Sequence, residues 1–479
     1  MAQQLYIDGT WRDALSGCTQ AVINPATEAI LAHVACGATA DVELAVTAAA
    51  AAQTAWGSSS GTDRAAFLRA IARGVEANQR PLAQLQTANN GKPLGESRID
   101  IADVIATFDY YAALAEQLDY SQDQPVALPD LAFTASLRRE PCGVAALIVP
   151  WNFPMVTSAW KIAPALAAGC CVVLKPSEIT PLPELALAEI IDRARLPRGV
   201  FNLVTGSGQE VGAALTAHPA VRKVSFTGST VVGQSVMKTA ADDLKRVSLE
   251  LGGKSAALLF ADADMELALD IVCGGIFFNA GQMCSATSRL LIERSVAAQF
   301  ISRLKQRVEA ICVGDPLDDK THMGPLSSHQ QYLKVQQYIR QGIDAGLTLV
   351  TGGERMSGQG YFVTPTVFAD VPCDSPLWRE EIFGPVLCIN SFDTEAQAVT
   401  LANQSEYGLV AAVLTTDLQR AKRVSSALEV GLVWVNSAQI IFPQTAWGGM
   451  KKSSIGRELG PWGLQAFQEI KHVVTAVPH

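Results

Sequence analysis

The chain has no cluster of basic residues. Its 37 Lys and Arg and 46 Asp and Glu leave a formal charge of −9 that is spread along 479 residues. Tracking a phosphate backbone requires cations gathered on one face, so no nucleic-acid partner is expected. Hydrophobic runs of membrane-spanning length are missing too, because Pro, Asn or Lys cuts each candidate. The start, Met1 to Asp13, has no basic stretch followed by an apolar core; neither an export signal nor a membrane partner is expected. Six histidines stand scattered, with no Cys/His or His/carboxylate spacing suited to a catalytic metal. Ten cysteines in so long a chain are no disulfide framework, and Cys170-Cys171 sit in an apolar stretch that reads as buried strand. This usage points to a reducing compartment, read here as the cytoplasm. No internal repeat is visible.

What is present is apolar content, 49% of residues, enough for a large core divided into two or three domains. Ala-rich helical spacing runs from Asp41 to Ala77 and continues from Arg98 to Leu118. A polar, proline-interrupted excursion from Asp119 to Glu140 ends in the strand-like Phe133–Arg138. Short apolar strands then alternate with helical stretches: Val144–Val149, Cys171–Leu174, Val200–Val204 and Val224–Phe226. That alternation predicts a doubly wound parallel sheet. A second alternating region, Ser255 to about Val435, holds strand candidates at Ala256–Phe260, Leu290–Ile292, Val386–Ile389, Val410–Leu414 and Gly431–Val435. The strand-like Lys471–Val474 in the tail is a candidate partner for the early excursion.

Two runs carry candidate chemistry. Cys284 lies in Gly281-Gln282-Met283-Cys284, and Glu250 in Glu250-Leu251-Gly252-Gly253-Lys254. A thiolate stabilised by backbone donors is a nucleophile, and glycines beside it let a substrate approach the main chain. Isolated cysteines are mostly small buried hydrophobes. A third run, Phe226-Thr227-Gly228-Ser229 through Gly233, joins a strand to a helix, where freed amides and the helix dipole favour a pyrophosphate. Its Gly-x-x-x-x-Gly spacing differs from the common dinucleotide fingerprint. Upstream, Lys175-Pro176-Ser177-Glu178 puts a cation and a carboxylate at a strand's carboxyl end. The carboxylate accepts from ribose hydroxyls and repels a ribose phosphate, which favours NAD over NADP.

Taken with Pro150-Trp151-Asn152-Phe153-Pro154, Glu381-Ile382-Phe383-Gly384-Pro385 and Asn403 with Tyr407-Gly408-Leu409, these runs resemble the aldehyde dehydrogenase superfamily over essentially the whole chain. The resemblance implies an α/β fold of two doubly wound, Rossmann-like parallel-sheet domains with a small β arm. It places an NAD-binding domain at 1–118 and 141–250, a catalytic domain at 251–459, and an oligomerisation arm at 119–140 and 460–479 that joins homodimers or homotetramers. It assigns catalysis to Cys284, Glu250, Asn152 and Lys161. Cofactor contacts fall to Trp151, Lys175, Ser177, Glu178, Gly208, Phe226, Thr227, Gly228, Ser229, Gly233, Leu251, Glu381 and Phe383. In the implied mechanism Cys284 attacks the aldehyde, and the Asn152 amide and the Cys284 N–H stabilise the oxyanion. Hydride then leaves for the nicotinamide, and water activated by Glu250 hydrolyses the thioester. Glu250 as a structural carboxylate and Asn152 as a turn residue before Pro154 are the bland alternatives. Relatives that acylate CoA generally lack the water-activating carboxylate, a papain-type histidine signature is absent, and a non-catalytic protein on this fold predicts a lost nucleophile or base.

Within the superfamily, local likeness points to the betaine-aldehyde and aminoaldehyde subgroup, whose substrates pass aromatic rings and acids. Phe153, Trp160, Phe278 and Trp447 fall at the aromatic positions, with Asp100 and Asp103 on one predicted helix face and Ile441 in the channel. Phe153 and Phe278 stand where plant members commonly carry Tyr and Trp, and Ile441 is bulky for a trimethylammonium group. The expected substrate is an aminoaldehyde or betaine-type aldehyde, with ω-aminoaldehydes preferred over betaine aldehyde and neutral aliphatic or aromatic aldehydes as the alternative. Glu178 generates a first prediction: kcat/KM with NAD exceeds that with NADP, and Glu178→Ala narrows the ratio. Equal use of both cofactors by the unaltered protein contradicts it.

Overall fold

The structure, a computed structural model, describes residues 3–477; Met1 and Ala2, assigned above to the first domain, and Pro478 and His479, assigned to the arm, lie outside the described residues. The first sheet has five parallel strands in spatial order Phe201–Leu203, Val172–Lys175, Val144–Ile148, Val221–Thr227, Arg246–Glu250. Antiparallel strands close both edges, Leu5–Ile7 with Thr10–Arg12 on one side and Ser454–Ile455 on the other. Val144–Ile148 is buried along its whole length because helices cover both faces, which explains its unbroken apolar run. Strand order reverses beside this strand, so a crevice opens between its carboxyl end and that of Val221–Thr227.

Helix Pro154–Ala168 follows that strand. Proline opens its first turn, left-handed Gly169 closes it, and every residue in it is buried. Such an all-buried helix is a core element and holds its side chains rigidly. It packs against Leu94–Ser121, the long helix expected from Arg98 to Leu118, which brings Trp160 to Asp103.

The second sheet runs Thr348–Thr351, Thr366–Ala369, Val386–Phe392, Arg289–Glu293, Ala256–Leu259, Val410–Leu414, Leu432–Val435; only the first strand is antiparallel. The short link Leu251–Ser255 leads from the carboxyl end of Arg246–Glu250 into the amino end of Ala256–Leu259. So short a connection makes the carboxyl edge of the first sheet abut the amino edge of the second.

A third sheet pairs Gln468–Ala476 with Phe133–Pro141 along their full lengths, and Gln124–Val126 adds to its edge. The tail therefore does pair with the early excursion. Cys170 and Cys171 are buried, but they precede the strand that starts at Val172. Among the described residues no helix is long and apolar enough to cross a membrane.

Candidate active site

A cavity of about 960 Å³ opens where the two sheets meet. From the first sheet it takes Trp151, Asn152 and Phe153 after Val144–Ile148, Thr227, Gly228 and Ser229 at the end of Val221–Thr227, and Glu250 at the end of its strand. From the second come Cys284 ahead of Arg289–Glu293, and Glu381 with Phe383 ahead of Val386–Phe392. Asp100, Asp103, Trp160, Leu251, Phe278, Ile441 and Trp447 complete the expected residues that line it.

Asn152 joins the halves. Its Nδ2 donates to the Gln282 carbonyl at 2.8 Å, two residues before Cys284, and its own carbonyl accepts from Asn279 Nδ2 at 3.0 Å. A primary amide has two N–H donors, so one remains for an oxyanion. The cysteine loop is turned by Asn279 and Ala280, both left-handed at φ 47° and 51°. Alanine adopts that region at a cost of roughly 1–2 kcal/mol. Glu96 Oε2 secures the turn by accepting from the Asn279 N–H at 2.8 Å; burial pushes its carboxyl up to about 8. Ser285 Oγ donates to Gln439 Oε1 at 2.6 Å on the far side of the loop. Gly253 is needed for close approach: a Cβ there would lie 2.3 Å from the Cys284 carbonyl oxygen. The Cys284 thiol is raised by burial and by the nearby Glu381 and Glu250 carboxyls, against backbone donors at Ser285 and Cys284.

Glu250 is buried, with Oε1 accepting from Ser454 Oγ at 2.9 Å and Oε2 left without a protein partner. Burial first, and then the Glu458 charge, push its carboxyl well above the usual range, while Lys161 opposes them. A buried carboxylate with raised basicity and one oxygen not engaged by the protein suits activation of water. Gly448 at φ 138° makes room for it, since a Cβ would lie 2.7 Å from Oε1.

Lys161 does not line the cavity. Its amine is bonded to Glu458, which also accepts from Ser225 Oγ at 3.2 Å, and Glu458 is what reaches the cavity wall. Helix Pro154–Ala168 points Lys161 into the core, so the lysine bears on Glu250 through charge and through Glu458. The antiparallel pairing of Ser454–Ile455 with Arg246–Glu250 brings Ser454 and Glu458 into place.

Asp100 differs in setting from the expectation of a paired acid face. Its Oδ2 is bound by Lys92 Nζ at 2.6 Å and Gln86 Nε2 at 2.7 Å, and the Lys92 amine lies 3.8 Å from the centre of the Phe153 ring. The protein's own cation thus occupies the space between an acid and an aromatic face. Asp103 accepts from Trp160 Nε1 at 2.7 Å, and burial pushes it up to about 7. Phe153 and Phe278 stack at 6.5 Å with 10° between planes, and Trp160 meets Trp447 edge-on at 5.4 Å.

The dinucleotide half fits its ligand. The buried Thr227 Oγ1 has no partner, Ser229 Oγ caps helix Thr230–Ala241 by accepting from Val232 N–H, and the remaining first-turn amides are open to an anion. Trp151 and Phe383 meet edge-on at 5.3 Å. Lys175, Ser177, Glu178, Gly208, Phe226 and Gly233 do not line the cavity. Lys175 Nζ donates to Glu178 Oε2 at 2.8 Å; burial raises Glu178, but Lys175 and the Gly208 backbone outweigh it and hold the carboxyl low. Phe226 and Gly233 are packed behind the turn, where a Cβ on Gly233 would lie 2.4 Å from Leu251. Glu381 Oε1 accepts from the Gly253 N–H at 2.9 Å. No group of metal-ligating side chains occurs among the described residues.

Sequence reasoning left Glu458, Ser454, Lys92, Glu96, Gln282 and Gln439 without roles. Glu458 had a signal, since it lies in a glycine-bounded run of its own, Gly456-Arg457-Glu458-Leu459-Gly460.

The sequence profile of the aldehyde dehydrogenase family matches residues 11–473, and the chain belongs to that family. It is 46% identical to aminoaldehyde dehydrogenase 1, peroxisomal, of Pisum sativum, over 98% of this chain and 95% of that protein. It is also 46% identical to the chloroplastic betaine aldehyde dehydrogenase of Amaranthus hypochondriacus, over 98% and 96%. Its fold matches the crystal structure of Staphylococcus aureus betaine aldehyde dehydrogenase in complex with NAD+ at TM-score 0.97 and 39% identity, covering 99% of this chain and 95% of that one.

Glu458 gives the second prediction. Glu458→Gln removes a like charge from beside Glu250, so Glu250 loses its proton at lower pH, and the acid limb of the deacylation rate shifts down by about one pH unit. A shift upward, or none, contradicts the coupling.

Proposed function

We propose that this protein oxidises an aldehyde to its carboxylic acid with NAD as hydride acceptor. The observation that carries the reading is one cavity holding Cys284, the Asn152 amide tied to the Cys284 loop, and Glu250 with a free oxygen. Cys284 attacks the carbonyl carbon, and the second Asn152 N–H and the Cys284 N–H face the oxyanion. When bound, NAD would supply the hydride acceptor; Trp151, Thr227, Ser229, Glu381 and Phe383 would hold its nicotinamide and pyrophosphate, and Lys175 and Glu178 its adenosine ribose. Glu250 then removes a proton from the water that hydrolyses the thioester. Lys161 and Glu458 set the charge around Glu250.

The substrate class follows from the channel walls. Asp100 is already neutralised by Lys92, and Asp270 on the same wall by Arg307, so Asp103 is the carboxylate left to receive a substrate ammonium, beside the Phe153, Phe278, Trp160 and Trp447 rings. A single acid with aromatic faces suits a primary ammonium, and the Ile441 side chain on the cavity wall disfavours a trimethylated one. We therefore favour ω-aminoaldehydes, with neutral aldehydes as the second reading because Phe153 and Phe278 add apolar wall. The relative named for aminoaldehydes supports the first. Exposed apolar residues on the arm, among them Leu131, Ile470 and Val474, support assembly into a homodimer or homotetramer through that sheet. Ten free cysteines support a reducing compartment such as the cytoplasm, although relatives are named for peroxisomes and chloroplasts.

The test is NAD reduction with 3-aminopropanal, betaine aldehyde, octanal and benzaldehyde side by side. The unaltered enzyme is expected to prefer 3-aminopropanal, and its advantage over octanal to grow as pH rises through about 7 and Asp103 ionises. Asp103→Asn should cut kcat/KM for the amine about tenfold relative to octanal, the worth of one charge-assisted contact. Equal losses for both aldehydes exclude the ammonium reading and favour the neutral one.

A further inference from the structure

A second thiol site lies outside the cavity, at the root of the arm. Cys142 stands between the arm strand Phe133–Pro141 and Val144–Ile148, part-exposed; Cys170 follows helix Pro154–Ala168 and is buried. Their sulfurs are 3.6 Å apart. The backbone also suits a bond between them. Val144–Ile148 and Val172–Lys175 are parallel neighbours with Ala145 opposite Val172, and the Ala145 N–H donates to the Cys171 carbonyl. Carrying that register back sets residue 143 opposite 170, which leaves the two cysteine Cα atoms roughly 5–6 Å apart, inside the span a disulfide bridges.

The surroundings favour reaction at Cys142. The Cys170 thiol hydrogen-bonds to it and holds it below the ordinary thiol range; burial opposes this, and the Lys223 ammonium and Arg246 add to it. Lys223 is itself buried and donates to Ser248 Oγ. Both cysteines also meet one carbonyl: the Cys142 N–H donates to Phe467 O at 3.0 Å, and Cys170 Sγ lies 3.4 Å from the same oxygen. Phe467 begins the return of the chain into the arm strand Gln468–Ala476.

We infer that Cys142 and Cys170 are an oxidisable pair that closes to an intramolecular disulfide when the protein meets hydrogen peroxide. The Cys142 thiolate attacks one peroxide oxygen; the O–O bond breaks, and hydroxide leaves and is protonated to water. Cys170 sulfur then attacks the Cys142 sulfenic acid, the S–O bond breaks, and the hydroxyl leaves as water with the Cys170 proton. Two thiols lose two electrons in all, and one peroxide becomes two waters. The order fits the geometry, since a reagent reaches the part-exposed Cys142 and the buried Cys170 resolves it. In a reducing compartment such a bond is transient and reports oxidant. Its effect is to pin the arm's root to the end of the core helix, away from Cys284.

The experiment treats the whole enzyme with limiting peroxide, alkylates free thiols, digests without reductant and maps peptides by mass spectrometry. A linked Cys142–Cys170 peptide that dithiothreitol removes is expected. The oxidised protein should also melt on the order of 5 °C above the reduced one. In Cys142→Ser both effects should vanish while the reduced variant melts with the reduced wild type. Cys142 recovered as sulfinic acid, a Cys170–Cys171 link, or both cysteines alkylated would overturn the inference, and the wild-type map decides this even if the variant folds poorly.

Discussion

One hydrogen bond, from Asn152 Nδ2 to the Gln282 carbonyl, holds the site together, because it crosses from the carboxyl end of the first sheet to the loop entering the second. The proposed chemistry depends on that crossing. The amide is pinned with one N–H spent and one free, while the loop behind Cys284 is held in a left-handed turn that its own residues disfavour. Glu96 and Asn279 brace the turn from below, and Gln439 braces Ser285 from the side. A mobile version of the same loop would present the thiol without its oxyanion donor, and pre-organised donors are where such sites gain most of their rate.

The junction also explains the charge pattern. Folding buries Glu250, Glu458, Lys161, Glu96, Lys92 and Asp100 around a single cavity, and each buried charge is costly unless paired. Lys92 with Asp100 and Lys161 with Glu458 are such pairs. Glu250 and Glu96 are the remainder, held high by burial, and of these only Glu250 lines the cavity, with one oxygen left without a protein partner. Pairing quiets the surplus charge and leaves one candidate base.

Much of this was legible in the chain. Periodicity located nine of the eleven parallel strands to within three residues at either end, because strands buried on both faces read as apolar runs, but it missed Arg246–Glu250 and Thr366–Ala369; the glycine-bounded motifs around Glu250, Cys284 and Ser229 are local in sequence. What was not legible is long-range. Lys161 meets Glu458 across 297 positions, so neither residue announces the other, and Lys161 alone reads as a motif lysine whose side chain turns away from the cavity. Asp100 and Asp103 look equivalent on a helix, yet Lys92 reaches back to one of them and not the other, a choice set by packing against Phe153. The rule that open parallel sheets bind ligands at carboxyl ends holds for the first sheet; the second offers its amino edge, a consequence of the short link Leu251–Ser255.

The division of labour between Cys284 and Glu250 can be tested by trapping. In Glu250→Gln the cysteine still attacks and hydride still leaves, but the thioester has lost its base. Rapid mixing with NAD and 3-aminopropanal followed by acid quench and peptide mass spectrometry should find the Cys284 peptide carrying the substrate's acyl group, with a burst of NADH close to one per active site. Steady turnover at the unaltered rate with no acyl group on Cys284 would contradict the mechanism.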